Sequence, residues 1–199
     1  MFQVRIHGRG GQGVVTAAEL LSVAAFLEGR HAQAFPSFGS ERMGAPVVAF
    51  CRIADTPIRL REPIQNPDAL IVQDATLFRA LDVLEGLNPE GFLLINTSRS
   101  LDELHIANLA AKVPEGHART IPATELAMAH VGRPAPNTSL LGAFTALCGI
   151  VSLDSVLEAI RRAFPGKVGE ANVVATKEAH AMIANGAKDA KEATGAEAD

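Results

Sequence analysis

The sequence predicts an α/β domain built on a mostly parallel sheet. Short apolar runs alternate with helix-length segments along the chain, which is the order of a layered α/β domain. Two runs, "ALIVQD" at 69–74 and "GFLLIN" at 91–96, are continuously apolar, as strands covered on both faces are. A third observation is the order strand, glycine loop, helix at the N-terminus. At 199 residues, 48% hydrophobic and 20% charged, the chain has the length and composition of one soluble domain with a proper core.

Phe2, Val4 and Ile6 alternate with Gln3 and Arg5, so a short strand runs to His7. Val14 to Glu28 reads as a helix with a broad apolar surface, and Gly29 follows where a C-terminal capping glycine belongs. "HAQAF" at 31–35 is a second strand. "PVVAFCRI" at 46–53 is a third, rich in β-branched residues, with Pro46 at its permitted first position. Thr76 to Leu87 reads as helix between the two buried strands, and 139–163 reads as mainly helical. Within it "SLLGAFTALCGIV" is apolar on nearly every face, so it is deeply buried or pressed against another protein. Glu170 to Ala184 is a further helix. These elements make a Rossmann-like layered domain over 1–184, its sheet sandwiched by helices. The small, charged segment 185–199 reads as a polar, disordered tail.

A net charge of −4 and the absence of Trp and Tyr argue against nucleic acid as a partner. No run reaches membrane-spanning length and no signal-peptide pattern opens the chain, so a cytoplasmic, membrane-free protein is expected. The two cysteines, Cys51 and Cys148, sit in apolar sequence and read as buried free thiols. Two thiols cannot bind an iron–sulfur cluster that needs four, and no metal site is expected.

Residues 5–16, "RIHGRGGQGVVT", hold four glycines within six positions. Gly10, Gly11 and Gly13 let backbone N–H groups approach an anion, and the helix starting near Val14 points its positive end to the same place. Gly8, Gly10 and Gly13 match the dinucleotide fingerprint, but no acid stands at the tip of the second strand, and Glu28 falls in the helix end before it. No Gly-Lys-Ser/Thr follows, so the Walker pattern fails. The local pattern leaves three readings: a ligand cradle, an NAD site, and a turn that only packs the helix close to the sheet. Arg9 is a candidate anion contact or an exposed turn charge. His7 is a ligand contact or a satisfied structural histidine.

The stretch "FPSFGSERMGAPV" at 35–47 has Pro36, Gly39, Gly44 and Pro46, so it is neither regular helix nor strand. It is a functional loop, or an Ω-loop packed on its own Phe38 with Glu41 and Arg42 as a solvated ion pair.

"GRGGQGVVTAAELL", "AQAFPSFGSERMGAPVVAFCRI", "PDALIVQDATLF" and "PNTSLLGAFTAL" together resemble the γ subunit, or γ domain, of the 2-oxoacid:acceptor oxidoreductases, of which pyruvate:ferredoxin oxidoreductase is the best-known member. The resemblance covers nearly everything except the charged tail. It implies a subunit of an enzyme that oxidatively decarboxylates a 2-oxoacid to an acyl-CoA and CO2. Thiamine diphosphate, Mg²⁺ and [4Fe–4S] clusters are then held by partner subunits of α, β and ferredoxin-like δ type, with ferredoxin or NAD as acceptor. This chain is expected to contribute CoA binding and active-site closure, with no catalytic group of its own. The implied CoA contacts are Gly10, Gly11, Gln12, Gly13, Ser40, Glu41, Arg42 and Gly44, with Arg42 as the phosphate-binding side chain. A purely structural scaffold and a free-standing nucleotide-binding domain are the competing readings. The resemblance does not select the 2-oxoacid: pyruvate, 2-oxoglutarate, branched-chain, aryl and oxalate-type relatives share this architecture.

Overall fold

The computed structural model of the chain describes residues 1–37 and 43–195. Their sheet has six strands in the order β2-β3-β1-β4-β5-β6. The strands are β1 (Phe2–Arg9), β2 (His31–Pro36), β3 (Pro46–Ala54), β4 (Ala69–Val72), β5 (Phe92–Asn96) and β6 (Ala118–Ile121). β1, β4, β5 and β6 pair in parallel. β3 is antiparallel to both its neighbours, which leaves β2 running with β1. One strand alone opposes the rest, so the sheet is mostly parallel, as expected.

The pleat divides the core into two layers. Ala69, Ile71 and Leu94 face one side, where they meet α1 (Val14–Leu27), α4 (Asn137–Cys148), α5 (Leu153–Ala163) and α6 (Lys167–Gly195). Leu70, Val72, Leu93 and Ile95 face the other, against Leu77, Val83 and Ile106. Ala69 to Val72 are all fully buried, which is why the run carries no alternation.

α4 is the pivot of the helical layer. Its residues Leu140 to Phe144 are fully buried or nearly so, which resolves the "SLLGAF" run in favour of the chain's own core. Gly142 makes this possible: a Cβ there would lie 2.1 Å from the Thr176 carbonyl of α6. α5 starts at Ser152, whose hydroxyl accepts from the Ser155 N–H, with Asp154 in its first turn and Arg161 and Arg162 in its last. That charge order suits the helix dipole. Cys51 is buried and Cys148 half-buried, and burial pushes both thiols up to about 12.

Three sequence expectations change. Thr76 to Leu87 is not a helix: a 3-10 turn covers Ala75–Arg79 and irregular turns follow. The Arg5 guanidinium, on the underside of β1, collects the carbonyls of Val83 (3.0 Å) and Glu85 (2.5 Å), so the segment is fastened to the sheet instead of coiling on itself. The face opposite the long helices is consequently covered mainly by turns, with the short helix α2 (Ala107–Ala110). α6 continues past Asn185 to Gly195, where a disordered tail is expected; its Ala, Lys and Glu residues are strong helix formers. β6 and α3 (Ala123–Val131) are additions to the expected elements, because "ARTI" and "ATELAMAHV" are too short to show a clear period.

Candidate functional site

The glycine loop leaves the carboxyl end of β1 and meets the end of the second stretch. Gly10 N–H donates to the Ala45 carbonyl (2.9 Å), and Gly44 N–H donates to the Gly10 carbonyl (3.1 Å). Gly10 also bridges to Met43. Of the expected contact residues, Gly10, Gly11, Gln12, Gly13 and Gly44 are thus brought together. Ser40, Glu41 and Arg42 lie outside the described residues.

Gly11 and Gly13 take φ values of +95° and +73°, and Gly13 caps α1. Their surroundings differ. A Cβ on Gly13 would fall 2.5 Å from Asn137 Nδ2 at the start of α4, so that glycine is required for packing two helix N-termini together. A Cβ on Gly11 would meet only the end of the exposed Met43 side chain, at 2.8 Å. The Gly10 and Gln12 N–H groups are taken by Ala45 and Arg9 carbonyls, whereas Gly11 and Gly13 donate to no other described backbone group.

Asp74, just past β4, holds this arrangement. Its Oδ2 accepts from Arg9 Nε (3.0 Å) and Gln12 Nε2 (3.2 Å), and its Oδ1 accepts from the Thr76 N–H (2.9 Å) and hydroxyl (2.5 Å). Burial works to raise its carboxyl, but the Thr76 and Gln12 hydrogen bonds and the Arg9 charge outweigh it and hold it below the ordinary carboxylate range. Arg9 donates in addition to the Gly44 carbonyl (3.0 Å) and Thr76 Oγ1 (2.9 Å). All three of its nitrogens are therefore engaged. It is neither an exposed turn charge nor an uncommitted anion ligand, but the clasp joining the glycine loop, the 43–45 segment and Asp74. Gln12 closes the loop on itself, its Oε1 accepting from the Arg9 N–H at 2.7 Å.

His7 corrects the expectation of a satisfied histidine. It is 7% exposed, and neither ring nitrogen has a partner among the described residues. Burial, aided by the Arg5 charge, lowers its pKa to about 4, so the ring is neutral at physiological pH. Glu28 caps α5 by accepting from the Ser152 N–H at 2.7 Å. It is therefore occupied far from any ribose site. The NAD reading also fails in topology, because β3 separates β1 from β2, whereas the fingerprint needs the second parallel strand beside the first.

A polar crevice of about 750 Å³ opens beside this latch, at the carboxyl ends of β4 and β5. Gln12, Gln73, Asp74, Asn96 and Thr124 are among the residues that line it. Asn96 Nδ2 donates to the Gln73 carbonyl and to Thr124 Oγ1, both at 2.8 Å, and its Oδ1 accepts from the Thr124 N–H at 3.1 Å. Sequence reasoning missed these groups and Asp74. The available signal was "QD" closing an apolar strand, two polar residues at the edge where open α/β sheets place their sites.

A glycine loop, a helix N-terminus and a polar crevice at one carboxyl edge define an α/β domain of the type that carries its function on the loops following parallel strands. The comparisons then give the family. Residues 3–182 match the model of the pyruvate ferredoxin/flavodoxin oxidoreductase family, and the chain belongs to it as a γ-type member. It is 47% identical over 180 residues to pyruvate synthase subunit PorC of Methanothermobacter marburgensis, covering 90% of this chain and 96% of that one. It is likewise 47% identical over 180 residues to the pyruvate/ketoisovalerate oxidoreductases common subunit gamma of Pyrococcus furiosus, with the same coverage of 90% and 96%. The crystal structure of the pyruvate oxidoreductase subunit PORC from Thermotoga maritima superposes with a TM-score of 0.75 at 36% identity, over 90% of this chain and 94% of that one. A 2-oxoglutarate:ferredoxin oxidoreductase from Magnetococcus marinus, solved with 2-oxoglutarate, coenzyme A and succinyl-CoA, has a TM-score of 0.70 over 93% of this chain and 31% of its own. At 19% identity that likeness is one of fold alone. No helix among the described residues is long and apolar enough to cross a membrane.

Proposed function

We propose that this chain is the γ subunit of a 2-oxoacid:ferredoxin oxidoreductase complex, in which it contributes backbone and side-chain contacts to CoA and helps close the active site. The observation that carries this reading is the pairing of Gly10 with Ala45 and of Gly44 with Gly10. It draws the two glycine-bearing stretches, which lie on either side of α1 and β2 in the chain, into one surface. Arg9 and Asp74 lock that surface. A scaffold that only held other subunits together would have no use for such a clasp around positive-φ glycines.

In this reading the Gly11 and Gly13 N–H groups and the N-terminus of α1 face the CoA phosphates. Arg42 supplies the guanidinium, because Arg9 is already committed to Asp74, Thr76 and Gly44. The chemistry itself belongs to thiamine diphosphate and iron–sulfur clusters in partner subunits; this chain binds and orients. Selection of the 2-oxoacid lies elsewhere in the complex. The Pyrococcus relative supports this, since its name describes a γ subunit common to pyruvate and ketoisovalerate oxidoreductases.

The test is Arg42→Ala in the assembled complex. The CoA KM should rise ~10-fold, as expected for losing a charged hydrogen bond of ~1.5 kcal/mol. Arg42→Lys should restore part of it, and the 2-oxoacid KM should stay constant. An unchanged CoA KM with weakened subunit assembly would instead support the scaffold reading.

A further inference from the structure

We propose that the open edge of β2, with the side of α1 that overhangs it, seats a second copy of this chain, the two copies joining their sheets about a two-fold axis. β2 ends the sheet, and no strand among the described residues pairs with its outer edge. The groups it offers follow from its pairing with β3. Ser37 N–H donates to the Val48 carbonyl at 2.8 Å, and the register sets Pro36 opposite Ala49. Bonding to β3 alternates along an antiparallel strand, so it falls to residues 33, 35 and 37. Ala32 and Ala34 turn their N–H and C=O groups outward.

An open edge is a template for another strand, and flanking residues decide which strand fits. Pro36 has no N–H to give, and the Arg30 N–H is spent on the Ala25 carbonyl at 3.1 Å. One antiparallel two-fold register pairs every outward donor and acceptor of the two alanines. It sets Ala32 against Ala34 of the second copy, with Gln33 beside its own symmetry mate. In the registers to either side, Ala32 meets Pro36 or Ala34 meets Arg30, and a carbonyl goes unpaired. The edge is therefore complementary to itself, as a closed two-fold interface requires.

The helices agree. α1 packs across both β2 and β3. A two-fold axis midway between the paired β2 strands lies one strand spacing, ~4.8 Å, from the line between β2 and β3. The two α1 helices then stand ~9.6 Å apart, within the ~8–10 Å at which helices pack. Towards the sheet α1 is buried, and α4 and α5 pack on its inner side. Val23 and Phe26, 38% and 71% exposed, are left on the outer one. Glu19 is the one charged residue in the helix, so this side lacks the polar face of a helix that ends in water.

The test uses the full chain and the assembled complex, and it does not depend on the CoA assignment. Gln33→Cys sets a thiol beside its symmetry mate with Cα atoms ~4.5 Å apart, within reach of a disulfide. Oxidation of the complex should give a band of twice the chain's mass on a non-reducing gel. Cys51 and Cys148 do not compete, because burial pushes both thiols up. Val174→Cys, exposed on α6, should stay at single mass. The full chain should sediment as a dimer, and Phe26→Glu, at an exposed position, should raise its Kd at least ~10-fold without loss of Tm. A photo-reactive benzophenone in place of Phe26 then identifies the neighbour in the complex. A cross-link to a second copy is expected; one to a different subunit, or none, would overturn the proposal. So would a Gln33→Cys complex that stays at single mass, a monomeric chain, or a dimer indifferent to Phe26→Glu.

Discussion

Replacing Asp74 with asparagine isolates the clasp that orders the candidate site. The carboxylate accepts four hydrogen bonds, two on each oxygen. An asparagine of the same shape keeps one acceptor oxygen. If that oxygen stays with Thr76, an amide N–H₂ is turned toward Arg9 and Gln12, both of which also donate. A charged hydrogen bond contributes ~1.5–3 kcal/mol, and the low end applies here because the Arg9 and Asp74 side chains keep 30% and 17% of their surface in water. The expected loss is thus about 1–2 kcal/mol, or ~2–8 °C in Tm for a chain of this size. The assay is thermal unfolding of wild type, Asp74→Asn, Arg9→Met and the double variant, taken as a cycle. A coupling of ~1 kcal/mol between the two positions is expected. Acid adds a second readout: a carboxyl held low in the native state stabilises at pH values above its unfolded pKa, and that increment is lost as pH falls through the folded one. Asp74→Asn should lack this part of the acid limb. Additive effects, with coupling under ~0.3 kcal/mol and an unchanged acid limb, would refute the clasp.

Gly13→Ala should cost more stability than Gly11→Ala, although both positions have positive φ, because only the Gly13 Cβ collides with Asn137 on α4. Equal Tm losses would contradict this. At Gly11, whose Cβ would meet only the Met43 side chain, a β-branched residue should disturb function more than folding. Gly142→Ala should overpack the α4–α6 contact by ~1–3 kcal/mol or prevent folding, measurable as soluble yield and Tm, since the new methyl lies 2.1 Å from the Thr176 carbonyl. His7→Leu should flatten the fall in stability between roughly pH 6.5 and 4. Over that window the unfolded chain binds a proton that the native ring, with a pKa of about 4, refuses. The acid-side difference amounts to roughly 3 kcal/mol at most, and a denaturation series across pH showing parallel curves would rule it out.

The sequence by itself determined the layered α/β class, the placement of β1 to β5, α1 and the helical region after 137, and the family. These follow from local information: continuous apolar runs mark strands buried on two faces, and glycines at fixed offsets mark a loop. It also singled out both glycine-bearing stretches. Only the tertiary structure joined them, because backbone bonds such as Gly10 to Ala45 link positions far apart in the chain and leave no local period. The same holds for the roles of particular side chains. Arg9 reads as a candidate ligand until Asp74, 65 residues on, is seen to hold it. His7 reads as satisfied until its ring is found buried without partners. Residues 76–87 have helical composition, yet Arg5 from a distant strand takes the carbonyls of Val83 and Glu85. In each case a long-range hydrogen bond or a desolvated group outweighs local propensity, which, proline aside, differs between residues by only ~1 kcal/mol.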